Sequence, residues 1–365
     1  MHRMKDFAIN AGLMAASLVA GLLLCEFVVF RFILPASDAP YNAFANDLVR
    51  YAPNQSGVWR VKNEIAAPYA INAQGWNSGV GDYVMQRTPG VPRVAVVGDS
   101  FVEAFHVPKD RSIAERLGDE RARHGARPEV YRFAVSGAPL SQYLYMIERE
   151  VLSYRPEWIV VVLVHNDFEE SFQFVQGRYT SSFLKLRVKD GTVEELPPAP
   201  WKADVNEWLR HTATARFLYY RWRVRPESIR NLLLPAAQAG AERYEANVAV
   251  DPVLRQLPTI RLATDHVFAR LAHLQQRTGT RVLLAIDGVR AVIYSGRTSD
   301  ILVLNKLAAE LAARHGLAFV DLHDAFAADW AINHRRFEYD SDYHWNEQAH
   351  AVAARAVARA MAEQQ

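Results

Sequence analysis

Val94-Ala-Val-Val-Gly-Asp-Ser-Phe101 is the stretch that decides how this chain is read. Four apolar residues, three of them β-branched, run into Gly98, Asp99 and Ser100. Such a run predicts a buried parallel strand that ends in a tight turn. The turn sets Ser100 beyond the carboxyl end of the strand, where open α/β sheets bind ligands. A helical pattern follows from about Lys109 to His124, so Ser100 lies between a strand end and a helix, with a backbone N–H able to face an oxyanion. Gly-Asp-Ser alone reads equally well as a plain strand–turn with a capping serine. The partners that favour chemistry come much later in the chain.

Outward from this stretch the pattern alternates. Strands are expected at Arg93–Gly98, Glu129–Val135, Trp158–Val164, Arg281–Ile286 and Ala318–Leu322. Helices are expected at Ser112–His124, Ser141–Tyr154, Pro258–Thr278, Ser299–His315 and Asn346–Glu363. In the fourth helix Leu304, Leu307, Ala308 and Leu311 follow three–four spacing, and Gly316 suits the C-cap. Strands alternating with helices predict an α/β fold: a three-layer, doubly wound, flavodoxin-like parallel sheet of about five strands. Residues 167–257 break the rhythm as an insertion. Within it, Phe183–Val188 and the residues from Val193 read as a hairpin around Asp190-Gly191. A Pro-rich stretch and a Trp/Arg/Tyr-rich helical segment, Trp208 to Arg225, follow. This insertion reads as a lid, a substrate-binding subdomain or a partner surface.

Residues 35–92 hold six prolines between Pro35 and Pro92, with aromatics from Tyr41 to Trp76. Prolines at this density punctuate loops and short strands, and the aromatics predict packing on the domain. Asn72 and Trp76 read as packing residues in preference to a substrate rim. Residues 1–34 differ from everything after them. Arg3 and Lys5 precede an apolar run from Phe7 to Cys25, resumed from Phe27 to Leu34. About 20 residues span a bilayer. An uncleaved signal anchor is favoured over a cleaved signal peptide, because the apolar run is long and Ser37-Asp38-Ala39 is a weak cleavage site. Glu26, near the outer end, has headgroups or Arg31 within reach. The expected organisation is therefore a cytoplasmic terminus and transmembrane anchor at 1–34, an aromatic, Pro-rich segment at 35–92, and a domain at 93–365 interrupted at 167–257. In a bacterial cell that domain would be periplasmic, held to the inner membrane by one span.

The 365 residues are 50% hydrophobic and 22% charged, with a formal net charge of +2. This is globular composition, and no basic tract points to nucleic acid. Cys25 is the only cysteine, which excludes an internal disulfide and any cysteine-based metal centre.

Four separated segments each supply one part of a serine hydrolase. Ser100 is the candidate nucleophile. Gly137, in Val135-Ser-Gly137, offers an unhindered N–H, and Asn166, in His165-Asn-Asp167, offers a side-chain amide. Asp342-Tyr-His344 precedes the last helix. A serine hydroxyl is a poor nucleophile until a base takes its proton. His344 suits that task, and Asp342 would orient the imidazole. The N–H groups of Ser100 and Gly137 with the Asn166 amide would hold an oxyanion; one such donor contributes on the order of 3 kcal/mol in the transition state.

These segments resemble the four blocks of the SGNH (GDSL-type) hydrolase superfamily, which carry Ser, Gly, Asn and His in this order. The resemblance covers about residues 93–363 apart from the insertion. It implies Ser100 as nucleophile, Gly137 and Asn166 as oxyanion donors and His344 as base. One departure concerns the last block, usually Asp-x-x-His. Ser341 occupies that aspartate position, with aspartates at 340 and 342. Asp342-x-His344-Trp345 is similar to the Asp-x-His-Trp variant of SGNH-like polysaccharide O-acetyltransferases, although in the alginate enzymes that pair precedes the serine. Asp342 is assigned as the orienting acid, with Asp340 as the fallback. The resemblance implies an esterase removing acetyl or short acyl groups from envelope or exported carbohydrate, with no cofactor. Transfer of the acyl group to a sugar hydroxyl, and an idle glycan-binding or scaffold role, are the alternatives.

Among the remaining polar residues, Asp99 and Asp167 read as structural. His106, His165 and His323 read as surface or satisfied core histidines, with substrate contact as the alternative for His165, which adjoins Asn166. Trp345 reads as packing beside His344. No metal site is expected, since there is no His-Glu-x-x-His and the 340–342 acids serve the triad better.

Overall fold

A computed structural model describes residues 2–123, 125–173, 180–224 and 243–364. The chain forms two compact units. One comprises Met1–Ala39, Val58–Ala66 and Ala203–Ala237; the other comprises Pro40–Gly57, Ala67–Lys202 and Gln238–Gln365. Segment 35–92 contributes to both.

The larger unit is built on a five-stranded parallel sheet: β1 (Arg93–Gly98), β2 (Glu129–Ala134), β3 (Trp158–Leu163), β4 (Arg281–Ile286) and β5 (Ala318–Asp321). Their spatial order is β2-β1-β3-β4-β5, the flavodoxin-like doubly wound order, which reverses between β1 and β3. Strand residues alternate between two apolar cores. Ala95, Val97, Ile159, Val161 and Leu284 face one; Val94, Val96, Val160, Val162 and Leu283 face the other. The first core is covered by helices Leu140–Arg149, Val250–Thr278 and Leu302–Arg314. The second is covered by Ile113–Ala122, Leu322–Asn333 and Glu347–Glu363. Both faces of the sheet are thus buried, which explains its unbroken β-branched runs.

The expected elements recur with shifted ends, and two differences have physical causes. The helix expected to begin at Pro258 begins at Val250, with Pro258 inside it. An internal proline costs about 3 kcal/mol. Val250 and Val253 in the extra turns are fully buried, and Leu254 and Leu257 pack on the same core, which offsets that cost. The helix Leu322–Asn333 was not expected. Asp321 starts it by accepting the His323 N–H at 2.9 Å, and Leu322 and Phe326 anchor it.

Segment 40–57 forms a hairpin, Asn42–Ala45 with Leu48–Tyr51. Trp76 is fully buried, and Asn72 Oδ1 accepts the N–H groups of Gln74 and Trp76, so both are packing residues. In the insertion, Lys185–Lys189 pairs with Thr192–Leu196 around Asp190 and Gly191, both at positive φ. That is the backbone a two-residue hairpin turn requires. Residues 174–179 and 225–242 of the insertion, and His124 at the end of an expected helix, lie outside the described residues.

In the smaller unit an apolar helix begins at His2–Leu24 and continues through π-helical turns at Cys25–Ile33. Its span Arg3–Ile33 has the length and composition to cross a membrane, and none of its most apolar window is buried. The segment expected to be helical from Trp208 to Arg225 is two short helices. Val205–Arg210 is capped by Asp204, and Ala213–Ala215, capped by Thr212, winds on through Arg216–Arg221.

Candidate active site

Ser100 is the first residue of a one-turn helix, Ser100–Glu103, that leaves β1 directly. Asp99 is its N-cap: Oδ1 accepts the Phe101 N–H at 2.9 Å. Gly98 is demanded by close approach. A Cβ there would lie 2.4 Å from Val102 Cγ2 and 3.3 Å from the Val162 carbonyl oxygen. The helix therefore folds back tightly over the strand end and holds Ser100 at the rim.

His344 arrives on the loop before the last helix. Its Nε2 lies 2.8 Å from Ser100 Oγ, and its Nδ1 lies 2.5 Å from Asp342 Oδ1. The same Oδ1 accepts the His344 backbone N–H at 3.0 Å. An aspartate that accepts the N–H two residues on closes a local turn. That turn is why a spacing of two suffices here. The fallback Asp340 points elsewhere, with an exposed side chain 3.8 Å from Arg336 Nη1.

Two features of this site escaped the sequence. The first is His106. Its ring stacks on that of His344 with centroids 3.8 Å apart and planes at 7°, and its Nε2 lies 3.5 Å from Asp342 Oδ2. The expected lone histidine is thus a second imidazole on the same carboxylate. Burial pushes the Asp342 carboxyl up, but the two histidines beside it outweigh that and hold it well below the usual carboxylate range. The ligand atoms of His106, Asp342 and His344 lie within 4.8 Å of one another. Parallel stacked rings, however, aim their nitrogen lone pairs along parallel planes, and these do not converge on one tetrahedral ion.

The second is the brace behind the loop. Arg290 is buried; it donates to the Tyr343 carbonyl at 2.7 Å and lies over the Phe101 ring. Trp345 is fully buried, and its Nε1 donates to Asp287 Oδ1 at 2.9 Å. The Tyr339 hydroxyl donates to the His106 carbonyl at 2.7 Å. The loop is fixed from several sides.

Gly137 and Asn166 follow β2 and β3, which flank β1. Gly137 has φ +73°, in the left-handed region, and a Cβ there would meet nothing within 4 Å. Its neighbour Ser136 donates its N–H to Glu103 Oε1 at 2.9 Å, which ties this loop to the Ser100 helix. The Tyr51 hydroxyl also donates to Glu103. Burial pushes the Glu103 carboxyl up to about 8. Asn166 is buried; its Nδ2 donates to Glu170 Oε1 at 3.1 Å, and its Oδ1 accepts from Asn247 at 3.2 Å. A carboxamide carries two N–H donors, and Glu170 uses one. Asp167 Oδ2 accepts the Val164 N–H at 2.8 Å and so folds this loop. His165 takes the satisfied-core reading and not the substrate contact. It is buried with Nε2 2.9 Å from Asn305 Oδ1, a core histidine whose hydrogen bond is already made.

A hydroxyl, an imidazole and a carboxylate in hydrogen-bond sequence, at the carboxyl edge of a doubly wound sheet, are the equipment of an α/β hydrolase. The sequence comparison agrees on the class. Residues 96–352 match the GDSL-like Lipase/Acylhydrolase family, and the chain belongs to it. No curated protein matches the chain. Among solved structures, the chain is similar to LAE5, an α/β hydrolase from the metagenome of Lake Arreo, Spain. The identity is 14%, the coverage 76% of this chain and 98% of that one, and the TM-score 0.42. It is also similar to a lipase/acylhydrolase from Enterococcus faecalis, at 13% identity, 75% and 97% coverage and TM-score 0.40. A catalytic mutant of the acetylxylan esterase Axe2 from Geobacillus stearothermophilus is similar at 10% identity, 76% and 96% coverage and TM-score 0.41.

Proposed function

We propose that the chain is a membrane-anchored serine esterase that removes acetyl or short acyl groups from envelope or exported carbohydrate. The observation that carries the chemistry is the line from Ser100 Oγ through His344 to Asp342, at 2.8 and 2.5 Å. The family supports acyl-ester hydrolysis. The apolar span Arg3–Ile33 supports the anchor. The carbohydrate assignment rests on the similarity of the Asp342–Trp345 block to polysaccharide-modifying enzymes.

In this reading Ser100 Oγ attacks the ester carbonyl carbon while His344 Nε2 takes its proton. Asp342 stabilises the imidazolium that forms. The carbonyl oxygen becomes an oxyanion, held by the N–H groups of Ser100 and Gly137 and the second N–H of the Asn166 amide. Collapse breaks the bond to the alcohol, which leaves with the proton from His344. Water, deprotonated by the same nitrogen, then releases the acid from acyl-Ser100.

One observation favours a second reading. The orienting acid stands two residues before His344, the spacing of the O-acetyltransferase variant, and in that case a sugar hydroxyl replaces water in the last step. The full chain in detergent is expected to hydrolyse p-nitrophenyl acetate and to take up a serine-directed phosphonate; Ser100→Ala is expected to do neither. A wild-type protein silent in both assays sinks the esterase. Acetyl appearing on oligosaccharide faster than as free acetate selects the transferase.

A further inference from the structure

Glu26 is an acid within an apolar helix, and both its carboxylate oxygens are engaged. Oε1 accepts the Ala213 N–H at 2.7 Å. Oε2 accepts the Thr214 N–H at 2.8 Å and the Thr214 hydroxyl at 2.9 Å. The acid thus satisfies donors that the start of helix 213–221 would otherwise leave open. One turn further on, Phe30 stacks on Phe217 with centroids 4.1 Å apart. Arg216 lies 2.8 Å from Asp38 Oδ1, and Arg221 donates to the Pro35 carbonyl at 2.6 Å. Segment 203–224 is therefore built onto the end of the apolar helix, within the same compact unit.

What this segment shows to the outside does not suit water. Trp208 is 72% exposed and Val205 73%, with Leu209, Leu218, Tyr219 and Trp222 also exposed. Residues 210–223 carry four arginines and no carboxylate. Beside them a cleft of about 320 Å³ is lined by Phe30, Phe32, Arg31, Arg60, Arg216 and Asp38, a cationic mouth with apolar walls. Tryptophan and tyrosine accumulate at the headgroup level of bilayers, and arginine pairs there with lipid phosphate. The occupant these features fit is the surface of the bilayer that the adjoining helix would cross.

We propose that residues 205–224 lie in the headgroup layer of an anionic phospholipid bilayer. Trp208, Tyr219 and Trp222 enter the acyl boundary, and the arginines of the cleft face lipid phosphate. The insertion then supplies a second membrane contact beside the anchor, and the proposal rests on the anchor reading. The full chain in a Cys25→Ser background tests it. Trp208→Cys, Tyr219→Cys, Leu18→Cys and Ile332→Cys variants are each labelled with an environment-sensitive fluorophore. They are reconstituted into vesicles of phosphatidylethanolamine and phosphatidylglycerol. Leu18 reports the apolar helix; Ile332, exposed on the larger unit, is the aqueous control. A lipid-borne quencher is expected to dim the labels at 208 and 219 several-fold more than the label at 332. If 18 is quenched while 208 and 219 behave like 332, the interfacial segment is overturned and the anchor stands. If 18 also escapes, the anchor falls and takes the proposal with it. Labels at 208 and 219 that are shielded from aqueous iodide yet unreached by the lipid quencher overturn it in favour of a second copy of this chain.

Discussion

Asp342 uses its two carboxylate oxygens differently: Oδ1 holds His344 and Oδ2 faces His106. The proposed roles are separable by substitution. Asp342→Asn is expected to lower kcat by about 10⁴-fold, the scale for losing the orienting acid of a triad, with KM little changed. Asp340→Asn, on an exposed side chain, is expected to leave both near wild type, and a larger loss at 340 reverses the assignment. His106 is expected to act as a positioning residue. His106→Phe keeps a ring against His344 but loses the N–H toward Asp342, whereas His106→Gln keeps an N–H and loses the ring. A hydrogen bond to a charged group contributes about 1.5–3 kcal/mol, so the Phe variant should lose about 10- to 100-fold in kcat and shift the acid limb of the kcat/KM profile. Gln should restore much of this. Equal kcat in the Phe variant and wild type excludes the role. At this scale the sequence was legible wherever a motif is local. Ser100 follows its strand at once, and Asp342 and His344 close their own turn. His106 was not legible, because only the fold brings it to a loop hundreds of residues away.

The one-turn helix at Ser100 depends on what surrounds it. Gly98→Ala would drive a methyl into Val102 and the β3 backbone. Overpacking of this kind costs about 1–3 kcal/mol. A lowered Tm and a loss of activity are expected, with Val102→Ala in the same chain recovering part of both; a Tm at the wild-type value contradicts the close approach. Glu103, the last residue of that helix, gives a pH signature. Burial raises its folded pKa from 4.5 to about 8, so between these values the folded state holds a proton that the unfolded state has released. Stability therefore falls as pH rises through that window, by up to about 1.4 kcal/mol per pH unit from this group. Glu103→Gln is expected to narrow the Tm difference between pH 5 and pH 8; an unchanged difference rejects the buried, protonated acid. Elements with a strong period and a clean boundary were readable in advance, as the five strands show. The helix through Pro258 was not, because tertiary burial of Val250 and Val253 overrode a local breaker.

Across the larger unit, a buried ion pair helps tie segment 40–57 to the end of helix Leu140–Arg149. Arg50 donates from Nη1 and Nη2 to the two oxygens of Glu150, both at 3.0 Å, and lies over the Trp76 ring. Removing one partner of a buried pair costs about 3–5 kcal/mol, because the other charge stays behind. Glu150→Ala is expected to lower the denaturant midpoint accordingly; a loss below about 1 kcal/mol places the pair with ordinary surface bridges. Composition predicted that this aromatic segment would pack, but it held no sign of the Arg50–Glu150 partnership. On the proposed anchor reading, the Glu26 clasp has a consequence for maturation. A peptidase cutting after Ala39 would carry off Glu26, Phe30 and Asp38 in one piece. The shortened product would keep Ala213 and Thr214 without their acceptor, and Phe217 without its stacking partner. Cleavage there would thus strip segment 203–224 of the partners it packs on, and the polypeptide recovered from membranes is expected, by intact mass, still to carry residue 26.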